Sequence, residues 1–193
     1  MKSICVFCGS NPGNQSIFSE QAIALGQVLV KKNIKLIYGA GNVGLMGVIA
    51  DAMLKENGEV VGVIPHFLMA KEVGHTGLSE LIEVETMHQR KQIMADLSEG
   101  FIAMPGGFGT MDEVCEILTW AQLGLHAHPI GLLDVEGYYQ PLIQLFDNMV
   151  AKGFLHPKNR ELVLMHEDPE KLLELMDDFE APDVEKWLDR AQV

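Results

Sequence analysis

Short apolar segments rich in β-branched residues alternate along the chain with longer amphipathic segments. This alternation is typical of an α/β fold in which helices cover both faces of a mainly parallel sheet. The pattern predicts a doubly wound sheet of about seven strands, at residues 3–8, 35–38, 60–64, 81–85, 100–104, 130–133 and 162–165. It also predicts helices at residues 15–32, 43–56, 87–98, 110–123, 138–152 and 169–178.

The length of 193 residues suits one domain, so we expect residues 1–193 to form a single domain. Two segments are harder to assign. Residues 66–79 show no clear period, which predicts a mobile or functional loop. Residues 183–191 carry apolar side chains on one helical face, and these could pack on this domain or on a second subunit.

The composition limits the partners and the compartment. A formal net charge of −13 disfavours nucleic-acid binding, which needs clustered Lys and Arg, but backbone N–H groups at a helix N-terminus can still hold a small phosphate. The three cysteines suggest free thiols in a reducing compartment. No signal peptide or membrane span is readable, so we expect a cytoplasmic protein.

The spacing Cys5-x-x-Cys8 lies inside a predicted strand, where residues three apart point to opposite faces. This placement favours two buried thiols over a redox or zinc pair. The seven histidines show no metal-ligand spacing with Cys or Asp, so we predict no metal site.

Three glycine-rich loops each follow a predicted strand, at residues 9–13, 39–44 and 105–110. The carboxyl ends of parallel strands meet at one edge of a sheet, so these loops should converge on one crevice. Gly39-x-Gly41-x-x-Gly44 matches the dinucleotide fingerprint. The acidic residue at the required spacing, Glu59, begins its strand instead of ending it, which favours a mononucleotide or close helix–strand packing.

The loop Pro105-Gly106-Gly107-Phe108-Gly109-Thr110 has two interpretations. Its glycines, the first-turn N–H groups of the following helix and the Thr110 hydroxyl could hold an anion. Alternatively, Thr110-x-x-Glu113 could form a capping box at a tight strand-to-helix turn. The residues of the loop alone leave both interpretations open.

Arg90 and Lys91 lie near the start of the predicted helix 87–98, at the same edge of the sheet. Two cations near a helix N-terminus carry an electrostatic cost that a bound anion would relieve. The alternative is a solvated surface pair.

The sequence resembles the Lonely Guy (LOG) family of cytokinin riboside 5′-monophosphate phosphoribohydrolases over nearly its whole length. The segments that carry the resemblance are Phe7-Cys8-Gly9-Ser10, Tyr38-Gly39-Ala40-Gly41 with Gly44-Leu45-Met46-Gly47, Met87-His88-Gln89-Arg90-Lys91, the 105–110 loop with Met111-Asp112-Glu113, and Thr119-Trp120-Ala121-Gln122-Leu123-Gly124. One departure is Ala40, where many relatives have a further glycine. Binding should survive this change if φ at Ala40 is negative.

The resemblance implies a Rossmann-like homodimer that hydrolyses N6-modified adenosine 5′-monophosphates, and AMP itself, to the free base and ribose 5-phosphate without a cofactor. It implies catalytic roles for Arg90 and Glu113. The residues expected to bind the nucleotide and its phosphate are Gly9, Ser10, Gly41, Glu72, Lys91, Gly106, Gly107, Phe108, Gly109, Thr110, Met111, Asp112 and Thr119. A different class stays open, a non-hydrolytic nucleotide-cofactor carrier or sensor similar to the molybdenum-cofactor carrier proteins.

Cleavage of a ribosyl–adenine bond passes through an oxocarbenium-like state. A carboxylate near the ribose can stabilise that state while it positions or deprotonates water, and Glu113 is the candidate. Arg90 would orient the phosphate and ribose or compensate charge near the purine. Lysine decarboxylation would instead require a pyridoxal cofactor on a Schiff-base lysine, to which no motif points.

Overall fold

The computed structural model describes residues 1–72 and 74–182, and of residues 70–72 only the backbone. Seven strands form one sheet in the order β4-β3-β2-β1-β5-β6-β7, and every neighbouring pair is parallel. The predicted α/β class and the seven strands are confirmed. The strands are β1 (Ser3–Phe7), β2 (Lys35–Tyr38), β3 (Val60–Pro65), β4 (Glu80–Val84), β5 (Phe101–Ala103), β6 (Ile130–Leu133) and β7 (Val163–His166).

Helices connect the strands, and the six predicted ones are all present with ends that differ by a few residues. The helices are α1 (Ser16–Lys31), α2 (Gly44–Lys55), α3 (His66–Glu72), α4 (Met87–Asp96), α5 (Phe108–Gln122), α6 (Gln140–Ala151), α7 (Pro157–Arg160) and α8 (Pro169–Asp177), with a 3-10 turn at Val135–Gly137. Asp168 is the N-cap of α8, and its side chain accepts a hydrogen bond from the Lys171 N–H.

The prediction of an irregular loop over residues 66–79 is wrong in its first half, which forms α3. The sequence hides this helix because seven residues are too few to display a 3.6-residue period. Its apolar residue Phe67 is also 56% exposed, so no buried stripe marks the helix. The predicted helical segment 183–191 lies outside the described residues.

The side chains of β1 alternate between two cores, one on each face of the sheet. Ile4, Val6 and Cys8 pack in the core beneath α1, α2 and α8. Cys5 and Phe7 pack in the core beneath α4, α5 and α6. The prediction that Cys5 and Cys8 lie on opposite faces, both buried, is therefore confirmed.

The connections reverse direction at β1, which lies between β2 on one side and β5 on the other. Such a switch point leaves a crevice at the carboxyl ends of the strands. The three glycine-rich loops meet there, as predicted. The Gly9 N–H donates to the Pro105 carbonyl at 3.0 Å, and the Leu45 N–H donates to the Gly9 carbonyl at 3.0 Å.

Gly44 determines how closely the first two loops approach each other. Its φ is +60°, and a Cβ added there would overlap the main chain of Ser10 and Asn11. Gly153 provides a comparison, because its φ is +79° but a Cβ would meet no atom within 4 Å. Both positions are in the left-handed region, and only Gly44 is also closed by backbone.

We predict that Gly44→Ala lowers the free energy of unfolding by about 3 kcal/mol or more, since left-handed strain and steric overlap add. The matched change Gly153→Ala should cost only about 1 kcal/mol, from the strain alone. Urea unfolding followed by circular dichroism measures both. Equal losses for the two variants would contradict the close packing of the loops.

Candidate active site

Helix α5 begins at Phe108, with Gly107 as its N-cap. The alternative in which Thr110 and Glu113 form a capping box is wrong, because Thr110 is the third residue of the helix and lies inside its first turn. A capping box does form on α4, where the Thr86 hydroxyl accepts from the Gln89 N–H. The N-terminus of α5 has neither a side-chain cap nor an acidic residue in its first turn, so its N–H groups can serve a ligand.

The three glycines of the 105–110 loop differ in what surrounds them. A Cβ on Gly106 would overlap the Thr110 hydroxyl oxygen. A Cβ on Gly107 or Gly109 would meet no atom within 4 Å. Packing between described residues therefore requires glycine only at Gly106, whereas Gly107 and Gly109 leave bare backbone facing open space at a helix N-terminus.

A cavity of about 450 Å³ lies between this loop and the first glycine-rich loop. Its volume is in the range of small-molecule sites. It brings together the predicted residues Gly9, Ser10, Gly106 and Gly107. Its lining residues are Gly9, Ser10, Asn11, Pro12, Gly13, Asn14, Phe18, Leu45, Pro105, Gly106, Gly107 and Tyr138.

Arg90 is only 6% exposed, so it is not part of a solvated surface pair. Its Nη2 donates to the Gly39 carbonyl at 2.8 Å, and its Nε donates to the Val63 carbonyl at 3.1 Å. A Cβ on Gly39 would overlap Nη2. The first glycine of the dinucleotide fingerprint thus makes room for a guanidinium of the protein itself.

Lys91, the next residue, has a different environment. Its Nζ contacts Glu116 Oε1 at 2.9 Å and Asp112 Oδ2 at 3.3 Å, which ties α4 to the first half of α5. Burial lowers the pKa of Lys91, but the hydrogen bonds and charges of Glu116 and Asp112 outweigh burial and raise it overall. Lys91 therefore stays an ammonium held between two carboxylates.

Glu113 is half-buried on α5. Burial raises the pKa of both Cys5 and Cys8, and the negative charge of Glu113 raises it further. The positive charge of Arg90 lowers the pKa of Cys5. Glu113 on α5 and Arg90 on α4 therefore both act electrostatically on Cys5 of β1, one as a carboxylate and the other as a guanidinium.

The remaining predicted residues differ in their surroundings. Met111 packs against the core beneath α5, and Phe108 is 96% exposed. Gly41, within the second loop, forms an antiparallel bridge with Gly74, which follows α3 in the chain. The side chain of Glu72 lies outside the described part of the chain.

Thr119 does not line the cavity between the first glycine-rich loop and the 105–110 loop. Its hydroxyl donates to the Cys115 carbonyl in the same helix at 2.7 Å. It lines a separate cavity of about 190 Å³, together with Leu118, Gln122 and Phe146. Among residues 1–72 and 74–182, no three His, Cys, Asp or Glu side chains are close enough to hold a metal ion.

The condition placed on Ala40 fails, because its φ is +60°. An alanine in the left-handed region costs about 1 kcal/mol or more, a strain that a glycine would avoid. The Ala40 carbonyl accepts from the His75 N–H at 3.1 Å, and His75 Nε2 contacts Asp51 Oδ1 at 3.0 Å. These contacts hold the conformation from outside the loop, and no local sequence signal indicates them.

Sequence reasoning also missed two tyrosines at the start of α6. The Tyr138 hydroxyl donates to the Gly106 carbonyl at 2.5 Å, and the Tyr139 hydroxyl donates to the Met104 carbonyl at 2.7 Å. Both bonds hold the loop that follows β5. They join residues more than thirty positions apart, so only the adjacency of the β5 and β6 loops could have suggested them.

Solved structures with the same fold include the molybdenum cofactor binding protein of Rippkaea orientalis. It has a TM-score of 0.69 and 22% identity over 91% of this chain and 95% of that one. The Moco carrier protein of Chlamydomonas reinhardtii also has a TM-score of 0.69, with 19% identity over 91% and 95% of the two chains. Identities this low show a shared fold only.

Sequence relatives are much closer. Residues 46–176 match the family model described as "Possible lysine decarboxylase". The cytokinin riboside 5′-monophosphate phosphoribohydrolase LOG1 of Arabidopsis thaliana is 46% identical over 178 residues, 92% of this chain and 84% of the relative. A rice protein named as a "probable" enzyme of the same activity is 48% identical over 176 residues, 91% and 79% of the two chains. The chain belongs to the LOG family of cytokinin riboside 5′-monophosphate phosphoribohydrolases.

Proposed function

We propose that this protein hydrolyses the N-glycosidic bond of adenosine 5′-monophosphates, including N6-modified ones, and releases the base and ribose 5-phosphate. One observation carries the proposal. The uncapped N-terminus of α5 presents Gly107 to open space, Glu113 follows on the same helix, and the Arg90 guanidinium lies against Gly39 of the second glycine-rich loop. The activity in the names of relatives 46% and 48% identical agrees with it.

The phosphate would bind at the N-terminus of α5. The first-turn N–H groups and the positive end of the helix dipole favour an anion without any basic side chain, which suits a chain with a net charge of −13. Bare backbone at Gly107 and Gly109 allows close approach. The expected roles of Gly9, Ser10 and Thr110 as neighbours of the phosphate stay part of this proposal.

The bond from C1′ to the base breaks heterolytically, and the electron pair leaves with the base. The Glu113 carboxylate stabilises the positive charge that develops on the ribose. It also takes a proton from the water whose oxygen bonds to C1′, and the departing base takes up a proton. The reaction is a hydrolysis with no change of oxidation state, so its balance requires no redox cofactor.

Arg90 supplies a fixed positive charge. Because two main-chain carbonyls hold its guanidinium, it is oriented before the substrate arrives. We assign it to the orientation of the ribose phosphate or to charge compensation near the purine.

Lysine decarboxylation, which the description of the family model names, fits this site poorly. A Schiff base requires a neutral lysine amine. The pKa of Lys91 is raised by Glu116 and Asp112, which keep the side chain protonated.

We predict that Glu113→Gln lowers kcat about a hundredfold or more, because the amide can neither take the proton nor stabilise the oxocarbenium charge. Release of base and ribose 5-phosphate from AMP and from isopentenyladenosine monophosphate, compared side by side, measures it. Full activity of the variant would refute the role of Glu113. Tight nucleotide retention by wild type without turnover would favour a carrier instead.

We predict that Gly39→Ala lowers kcat/KM about a hundredfold, because the new Cβ displaces the Arg90 guanidinium. Arg90→Ala should cause a similar loss, and the double variant should lose no more than either single variant. Additive losses would show that Gly39 acts independently of Arg90. Gly77→Ala shows the effect of backbone strain alone, since φ at Gly77 is +110° and a Cβ there meets no atom within 4 Å.

The proposal includes a homodimer formed through the outer side of α5. Phe108, Cys115, Thr119 and Gln122 recur at helical spacing on this side and are all exposed. The adjacent cavity is lined mainly by apolar side chains, Leu118, Phe146, Met149, Leu155 and Leu162 among them. An isologous contact would bury this surface. It would also place Thr119 at the dimer interface, whereas within its own chain Thr119 lies outside the cavity at the glycine-rich loops.

We predict that Cys115→Arg raises the dimer dissociation constant at least about tenfold, since it buries a charge in an apolar contact. Sedimentation velocity measures this. Leu175→Arg is the control, because Leu175 is 43% exposed on α8 at the opposite face of the sheet. Equal effects of the two substitutions would argue against a dimer through α5.

We place the protein in the cytoplasm. The described cysteines are all free thiols, and burial raises the pKa of Cys5 and Cys8. Such thiols suit a reducing compartment. No helix among the described residues is long and apolar enough to cross a bilayer.

A further inference from the structure

We propose that Tyr138 is a positioning residue that fixes the orientation of the peptide group between Gly106 and Gly107, and so aims a backbone N–H at the substrate phosphate. The inference rests on the proposed function, because it assumes that a phosphate binds at the N-terminus of α5. It assigns a role to a side chain that no motif of the sequence marks.

Tyr138 contacts the loop directly. The Tyr138 hydroxyl donates to the Gly106 carbonyl at 2.5 Å, and the Tyr138 side chain also lines the cavity beside the loop. Tyr138 is held in place by its neighbours. Its ring meets that of Tyr139 edge-on at 5.1 Å, and the Tyr139 N–H donates to buried Asp134 at 2.6 Å.

The geometry of a peptide group relates the direction of the Gly106 carbonyl to that of the Gly107 N–H. No peptide bond among the described residues is cis. In a planar trans peptide the carbonyl and the following N–H point in opposite directions. Because the Gly106 carbonyl points at Tyr138, the Gly107 N–H points away from Tyr138, and no acceptor for it occurs among the described hydrogen bonds.

The backbone by itself does not fix the orientation of this peptide group. A peptide between two glycines has no Cβ on either side, so its own φ and ψ preferences do not choose between the two orientations. In the reversed orientation the Gly106 carbonyl oxygen would take the place of the Gly107 N–H. This oxygen would then face a phosphate oxygen and repel it. The hydrogen bond from Tyr138 therefore selects the orientation that binds an anion.

Tyr139 provides the matched comparison within the same turn. Its hydroxyl donates to the Met104 carbonyl at 2.7 Å, but the residue after Met104 is Pro105, which has no N–H. The Tyr139 bond therefore orients no donor toward a ligand. Tyr139 is 1% exposed, so loss of its hydroxyl would leave a buried carbonyl without its partner.

The test compares Tyr138→Phe and Tyr139→Phe in the full chain. Inhibition constants are measured for the two products, ribose 5-phosphate and adenine, together with kcat and KM for AMP. We expect Tyr138→Phe to raise KM for AMP and Ki for ribose 5-phosphate about tenfold, the order of one lost hydrogen bond to a charged oxygen. Ki for adenine and the urea midpoint should stay unchanged.

Tyr139→Phe should lower the urea midpoint, since it removes the buried hydrogen bond to the Met104 carbonyl. It should leave Ki for ribose 5-phosphate within about twofold of wild type, since that hydrogen bond orients no N–H toward the phosphate. The inference is overturned if Tyr138→Phe inhibits like wild type with ribose 5-phosphate, or if it weakens adenine and ribose 5-phosphate equally. Wild-type protein that neither cleaves nor binds AMP would instead overturn the proposed function itself.

Discussion

Close approach of bare backbone at the carboxyl end of β1 is the constraint on which the rest of this structure depends. The hydrogen bonds from Gly9 to Pro105 and from Leu45 to Gly9 join the three loops. Side chains in place of the glycines would keep the loops apart. Gly44 permits one of these approaches and Gly106 another. A crevice lined by main chain results, and main-chain donors at helix ends suit an anion better than the acidic surface does.

The buried guanidinium of Arg90 is the second element of this centre. Burial of a charge is unfavourable unless dipoles or a counter-ion compensate it, and here the carbonyls of Gly39 and Val63 provide dipoles. This arrangement requires glycine at position 39, because any larger residue would overlap the guanidinium. Lys91 shows the contrast, since it binds two carboxylates and ties helices together. The adjacent residues Arg90 and Lys91 therefore have separate structural tasks.

The helix ends at this edge of the sheet differ in a way that bears on function. Side chains cap α4 and α8, through Thr86 and Asp168. Helices α1, α2 and α5, which follow the glycine-rich loops, lack a side-chain cap. Uncapped donors are a cost to stability unless water or a ligand satisfies them. The Tyr138 hydroxyl adds to this arrangement by holding a carbonyl of the loop away from the donors.

The sequence by itself determined the α/β class, the strands and the convergence of the glycine-rich loops, because periodicity and turn residues are local properties of the chain. It also determined that Cys5 and Cys8 face opposite cores. It could not decide between a capping box and an anion site at Thr110, since that depends on where α5 begins. The helix begins two residues before Thr110, at Phe108, and this removed the capping box.

Tertiary structure alone decided the burial of Arg90 and the left-handed backbone at Ala40. It also decided that Thr119 lies outside the cavity at the glycine-rich loops and that Tyr138 contacts the loop after β5. Each of these depends on segments far apart in sequence, such as Arg90 with Gly39 or Tyr138 with Gly106. The physical reason is that packing brings particular carbonyls within hydrogen-bonding distance of particular side chains, and neither composition nor spacing along the chain encodes those distances.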